Sequence, residues 1–128
     1  MGDGLQLELR TGSRLHFGLM ELAEGQPQRF GGLGLMLDQP GWRLGVTGSQ
    51  AEHVACPPHA SRAEIVSRVQ LALQRATREA ARGTTAAASP KLSIDVREIL
   101  PLHHGLGAGT QLACAAAVAV QLFERVAS

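Results

Sequence analysis

The residues best suited to chemistry lie in one short segment, Pro101-Leu102-His103-His104-Gly105-Leu106-Gly107-Ala108-Gly109-Thr110-Gln111. Gly105, Gly107 and Gly109 alternate through it, and a long apolar run, Leu112 to Phe123, follows. Glycines remove Cβ atoms from a turn, so backbone amides can approach a ligand closely. A helix that begins directly after the turn adds free N–H groups and the positive end of its dipole. Together these features make a cradle for an anion, and phosphate is the usual occupant. The competing reading is a tight strand-to-helix turn that holds no ligand. Two familiar phosphate loops are excluded. A dinucleotide fingerprint requires glycine where Thr110 stands, and a Walker A loop requires lysine, whereas Lys91 is the only lysine in the chain.

Other side chains are candidates by type. Arg14 and Arg29 are suited to gripping a phosphate or carboxylate in a bidentate fork. His16 and His103 are suited to moving a proton near neutral pH. Arg14 and His16 also fit a plain solvated strand face, and Arg29 a turn before Gly31-Gly32. The run Gly31 to Gly34 suits a bulge or a close contact. Asp38 suits a metal or a turn. His104 reads as solvent-facing. His53, Cys56 and His59 recur at three-residue spacing in HVACPPH. They form an incomplete zinc set that needs a fourth ligand from elsewhere.

The elements that must hold these residues are legible from periodicity. Leu5, Leu7 and Leu9 alternate with polar residues, as do Leu15, Phe17 and Leu19, then Leu33, Leu35 and Leu37, then Trp42, Leu44 and Val46, then Leu92, Ile94 and Val96. Alternation of this kind predicts five strands with one packed face. Ser61 and Glu64 have the spacing of a capping box, and Ile65, Val69, Ala72, Leu73 and Ala76 follow at helical period. That helix is expected to stop at Gly83. A small-residue linker, Gly83 to Pro90, follows it. A second helix is expected from about Thr110 to the end, apolar on nearly all sides and so buried between other elements. Four strands, a helix, a strand, a glycine-rich loop and a helix predict a two-layer α+β domain.

Composition narrows the function classes. The chain has 128 residues, a net charge of +1 and 3% aromatic residues. One domain is expected from that length. Near-neutral charge and few stacking side chains argue against nucleic acid and against an anionic membrane surface. Cys56 and Cys114 stand far apart and form no framework, which fits a cytoplasmic protein. No signal-peptide pattern and no span-length apolar stretch is present.

Pro101, Gly105, Leu106, Gly107, Gly109 and Thr110 resemble the Pro-x-x-x-Gly-Leu-Gly-Ser-Ser loop of the GHMP small-molecule kinase superfamily. Ala108 stands where serine is common, and Gly109-Thr110 replaces the usual small polar pair. With His103 and Gln111, the segment looks more like the beta-ribofuranosylaminobenzene 5'-phosphate synthase branch. Residues 13–22 (SRLHFGLMEL) and 29–37 (RFGGLGLML) are similar to the same branch. The resemblance implies the GHMP N-terminal fold, like the second domain of ribosomal protein S5. It implies a reaction that joins phosphoribosyl pyrophosphate to 4-aminobenzoate or 4-hydroxybenzoate, with loss of carbon dioxide, in methanopterin biosynthesis. It implies Mg²⁺, and phosphate binding by Gly105, Leu106, Gly107, Ala108, Gly109 and Thr110. It implies that residues 1–128 are the N-terminal domain of a longer enzyme, that the second domain is missing, and that the isolated piece is inactive or self-associating. An ATP-dependent GHMP kinase and a non-catalytic fragment of the fold are the alternatives.

Overall fold

The computed structural model of the chain describes residues 5–21, 30–82 and 91–127. Six strands and two helices follow in the order β1 (Gln6–Arg10), β2 (Ser13–Glu21), β3 (Phe30–Leu37), β4 (Arg43–Ser49), β5 (His53–Ala55), α1 (Arg62–Ala80), β6 (Lys91–Glu98) and α2 (Ala108–Ala127). This is the expected α+β class. The strands divide between two sheets: four in the order β1-β4-β6-β5, and the hairpin β2-β3 by itself.

The alternation of β4 and β6 sets the four-stranded sheet. Leu44 faces Val96 and Val46 faces Ile94 across the antiparallel pair, and all four are at least 97% buried. β1 extends the sheet with Leu7 opposite Val46 and Leu9 opposite Leu44. Two helices cover this apolar face. α1 contributes Ile65, Val69 and Leu73, which are one turn apart and so share a stripe. α2 contributes Leu112, Ala115, Ala116, Ala119, Val120 and Phe123 to the same core. Each buried branched side chain here is worth about 1.5–3 kcal/mol of transfer free energy.

The opposite face of the sheet is charged. Glu8 pairs with Arg43 at 3.2 Å, Arg97 at 2.9 Å and Arg10 at 2.8 Å, and Arg97 also reaches Asp95 at 3.3 Å. These guanidinium partners draw the Glu8 carboxyl down to about 2 from an ordinary 4.5, hydrogen bonds from Arg43 and then Arg10 being the largest causes.

Four expectations change. His53–Ala55 is a short strand parallel to β6, with Val54 buried against the core, and α1 is the crossover that a parallel pair requires. Leu33 and Leu35 of β3 are more than half exposed, in a hairpin that joins neither edge of the main sheet. α2 begins at Ala108, two residues before the expected start, and it is one-sided: Val118 and Val126 are exposed. Ser61 occupies the N-cap of α1 without a side-chain cap bond. Its amide donates to Nδ1 of His59 at 3.0 Å, and Glu64 pairs with a residue of the glycine-rich loop and with Arg68 of α1. α1 itself ends at Ala80, and Gly83 and the 83–90 linker lie outside the described residues.

Candidate functional site

The glycine-rich loop connects β6 to α2 and is shaped by three residues in the left-handed region: His103 at φ 63°, Gly105 at φ 71° and Gly107 at φ 74°. Glycine adopts this region without a Cβ penalty, whereas histidine does so at a cost. Gly107 is also packed closely, since a Cβ there would lie 3.4 Å from Cβ of Arg14. The loop is tied down from several sides. The Arg14 amide donates to the Leu106 carbonyl at 2.8 Å, and the Leu106 side chain is half-buried against the core. The Gln111 amide donates to the Gly107 carbonyl at 2.9 Å, which closes the first turn of α2. Buried Trp42 donates its indole N–H to the Ala108 carbonyl at 3.0 Å.

This geometry leaves the amides of Ala108, Gly109 and Thr110 ahead of the first intrahelical acceptor, as at any helix start. Gly109 and Thr110 are exposed, while the Ala108 methyl is buried. A cleft of about 600 Å³ opens from them between the helices, lined by Arg68, Leu71 and Arg75 of α1 and by Gly109, Thr110 and Leu112 of α2. Arg68 stands beside the first turn of α2, with its NH1 3.7 Å from where a Gly109 Cβ would lie.

Arg14 sits where three segments meet. Its Cβ packs on the loop at Gly107, and its Nε lies 2.9 Å from the position of a Cβ on Gly34 of β3. The bare Gly34 therefore gives the guanidinium room to lie across the strand. Among the described residues no carboxylate pairs with Arg14. His103 is brought to α1: its Nε2 is 2.6 Å from Oε1 of Glu64 and 3.5 Å from NH2 of Arg68. Arg68 in turn holds the same carboxylate oxygen at 3.1 Å. The His103 hydrogen bond, and after it that of Arg68, holds the Glu64 carboxyl below its ordinary value. The backbone of His16 pairs with Gly34, but its side chain and all of Arg29 lie outside the described residues. Asp38 and His104 are exposed.

Glu64 and Arg68 are the site residues that the sequence does not announce. Glu64 reads there as half of a capping box, and its partner His103 is 39 residues away. The HVACPPH set does not assemble: His53 lies in β5 and His59 caps the amide of Ser61. Among the described residues no three His, Cys, Asp or Glu side chains come together as a metal site. No described helix is long and apolar enough to cross a membrane.

The fold is the one seen in GHMP kinases. The chain is 32% identical over 116 residues to beta-ribofuranosylphenol 5'-phosphate synthase of Methanothermobacter thermautotrophicus, a match covering 88% of this chain and 33% of that protein. The structure is similar to phosphomevalonate kinase of Streptococcus pneumoniae, with TM-score 0.58 and 15% identity over 94% of this chain and 35% of the kinase. It is also similar to a 4-(cytidine 5'-diphospho)-2C-methyl-D-erythritol kinase, with TM-score 0.56 and 17% identity over 91% of this chain and 40% of that one. The chain thus spans about a third of the length of the synthase. No family model matches it.

Proposed function

We propose that this chain is the phosphate-binding portion of an enzyme of the beta-ribofuranosylphenol 5'-phosphate synthase kind. The reaction joins phosphoribosyl pyrophosphate to 4-hydroxybenzoate or 4-aminobenzoate. The bond from ribose C1 to pyrophosphate breaks, and the pyrophosphate leaves with the electron pair. The ring carbon bearing the carboxylate bonds to C1, and departing carbon dioxide returns its electron pair to the ring. The observation that carries the reading is the turn at Gly105 and Gly107, which delivers the amides of residues 108–110 beside a cleft. Preorganised donors at that place suit the charge that develops on a leaving pyrophosphate.

The roles follow from residue type and place in the motif. The amides of residues 105–110 hold phosphate oxygens. Arg14, free of any carboxylate among the described residues, grips the 5'-phosphate or the aromatic carboxylate, and Arg29 is the other candidate by residue type. His103, with His16, holds the phenolic or anilinic proton while the ring attacks. Among the described residues no carboxylate cage for Mg²⁺ is present. The ion would fit as one carried in by the phosphates it chelates, as is common for this metal, with Glu64, bonded to His103 of the loop, as a carboxylate at hand. When bound it supplies charge neutralisation at the pyrophosphate.

A second reading is an ATP-dependent small-molecule kinase, and the two kinase neighbours favour it. Calorimetric titration of the full chain with Mg²⁺ plus phosphoribosyl pyrophosphate, and separately with Mg²⁺ plus ATP, tests the choice. Tighter phosphoribosyl pyrophosphate binding is expected. Preferential ATP binding supports the kinase, and a folded chain that binds neither supports a non-catalytic fragment.

A further inference from the structure

Two side chains of α1 meet the loop through one imidazole, and the geometry calls for a proton on the nitrogen that faces Glu64. His103 Nε2 lies 2.6 Å from Glu64 Oε1. A carboxylate oxygen and an unprotonated ring nitrogen both carry lone pairs, so they do not approach this closely without a proton between them. Nε2 therefore bears hydrogen and donates to Glu64. The Arg68 NH2 group, 3.5 Å away, lies at the outer limit of a hydrogen bond and does not compete for that nitrogen. Arg68 acts instead on the carboxylate, which it holds at 3.1 Å. The other ring nitrogen, Nδ1, has no partner among the described residues.

The backbone supports a positioning role over a merely structural one. His103 occupies the left-handed region at φ 63°, in a loop where two glycines take the same region freely. Strain of that kind at a non-glycine residue persists where surrounding contacts over-determine it. Glu64 is 41% exposed at its side chain, and exposed ion pairs contribute little to stability. What the pair does achieve is orientation. The hydrogen bond made by one imidazole nitrogen decides which nitrogen carries the proton.

We infer that Glu64 is a positioning residue for His103, holding its Nε2–H and leaving Nδ1 as the acceptor for the substrate's phenolic or anilinic proton. The last clause rests on the proposed function; the tautomer does not. Charged groups facing the ring are Glu64 and Arg68 from α1, with His104 adjacent in the loop.

The test is the full chain labelled with ¹⁵N-histidine, read by long-range ¹H–¹⁵N correlation at about pH 8.5, two units above the ordinary imidazole value. His103 is expected as the Nε2–H tautomer in the wild type. Glu64→Gln keeps an acceptor oxygen and is expected to retain that tautomer, whereas Glu64→Ala is expected to give a mixture of the two. Circular dichroism checks that both variants fold. An Nδ1–H ring in the wild type, or a Glu64→Ala spectrum identical to wild type, overturns the assignment. Titration of the same sample with inorganic pyrophosphate separates the two readings. Absence of binding with the tautomer intact overturns the phosphate loop and leaves Nδ1 without its role there. Binding with the wrong tautomer overturns Glu64 alone.

Discussion

The indole nitrogen of Trp42 donates a 3.0 Å hydrogen bond to the carbonyl of Ala108, tying the residue before β4 to the first residue of α2. Trp42 is 1% exposed, so the bond is made in a dry site where polar partners matter most. Trp42→Phe keeps an aromatic ring and removes the donor. It is expected to lower stability by about 1–2 kcal/mol, combining a lost hydrogen bond with lost volume. Urea unfolding monitored by circular dichroism measures it.

Gly105 and Gly107 share a left-handed backbone but differ in surroundings. A Cβ on Gly105 meets nothing within 4 Å, while one on Gly107 meets Arg14. Gly105→Ala is expected to cost about 1–2 kcal/mol from backbone conformation alone. Gly107→Ala is expected to cost at least as much, its Cβ coming into contact with Cβ of Arg14. Paired unfolding curves for the two variants check the order.

Ser13 is fully buried, and among the described residues its hydroxyl has no hydrogen-bond partner. An unsatisfied buried hydroxyl is a liability of about 1–3 kcal/mol. Ser13→Ala is therefore expected to leave stability unchanged or raise it. A clear drop in the urea midpoint contradicts this.

Glu8 gives the pH dependence. Its carboxyl is drawn down to about 2 in the folded chain from an ordinary 4.5. A depressed carboxyl contributes stability that is present above its unfolded value and lost as pH falls through its folded value. The contribution is thus intact above about pH 4.5 and disappears toward pH 2. Because Glu8 lies on the solvated face, the effect is screened by salt. Urea midpoints across that range are expected to fall less steeply for Glu8→Gln than for wild type.

Much of the architecture is written in local periodicity. β1, β4 and β6 alternate because one sheet face meets the helices and the other meets water. Leu44, Val46, Ile94 and Val96 can be picked out for that reason. β5 is only three residues long, too short for a period to register. Leu33 and Leu35 alternate correctly, yet alternation says which side chains share a face and not whether anything covers it. At the site, the glycine spacing marks the loop, and Arg14 and His103 are visible by type. Glu64 is not. The contact that claims its carboxylate joins α1 to the loop, and a capping pattern of four residues carries no record of it.

The phosphate loop is tested most directly by ³¹P NMR of inorganic pyrophosphate titrated with the full chain and with Gly107→Val, which fills the close approach to Arg14. The wild-type chain is expected to shift or broaden the pyrophosphate resonance saturably, and the folded variant to lose at least tenfold in affinity, about 1.4 kcal/mol. An unperturbed resonance with wild type, or equal binding by Gly107→Val, contradicts the assignment of this loop as an anion site.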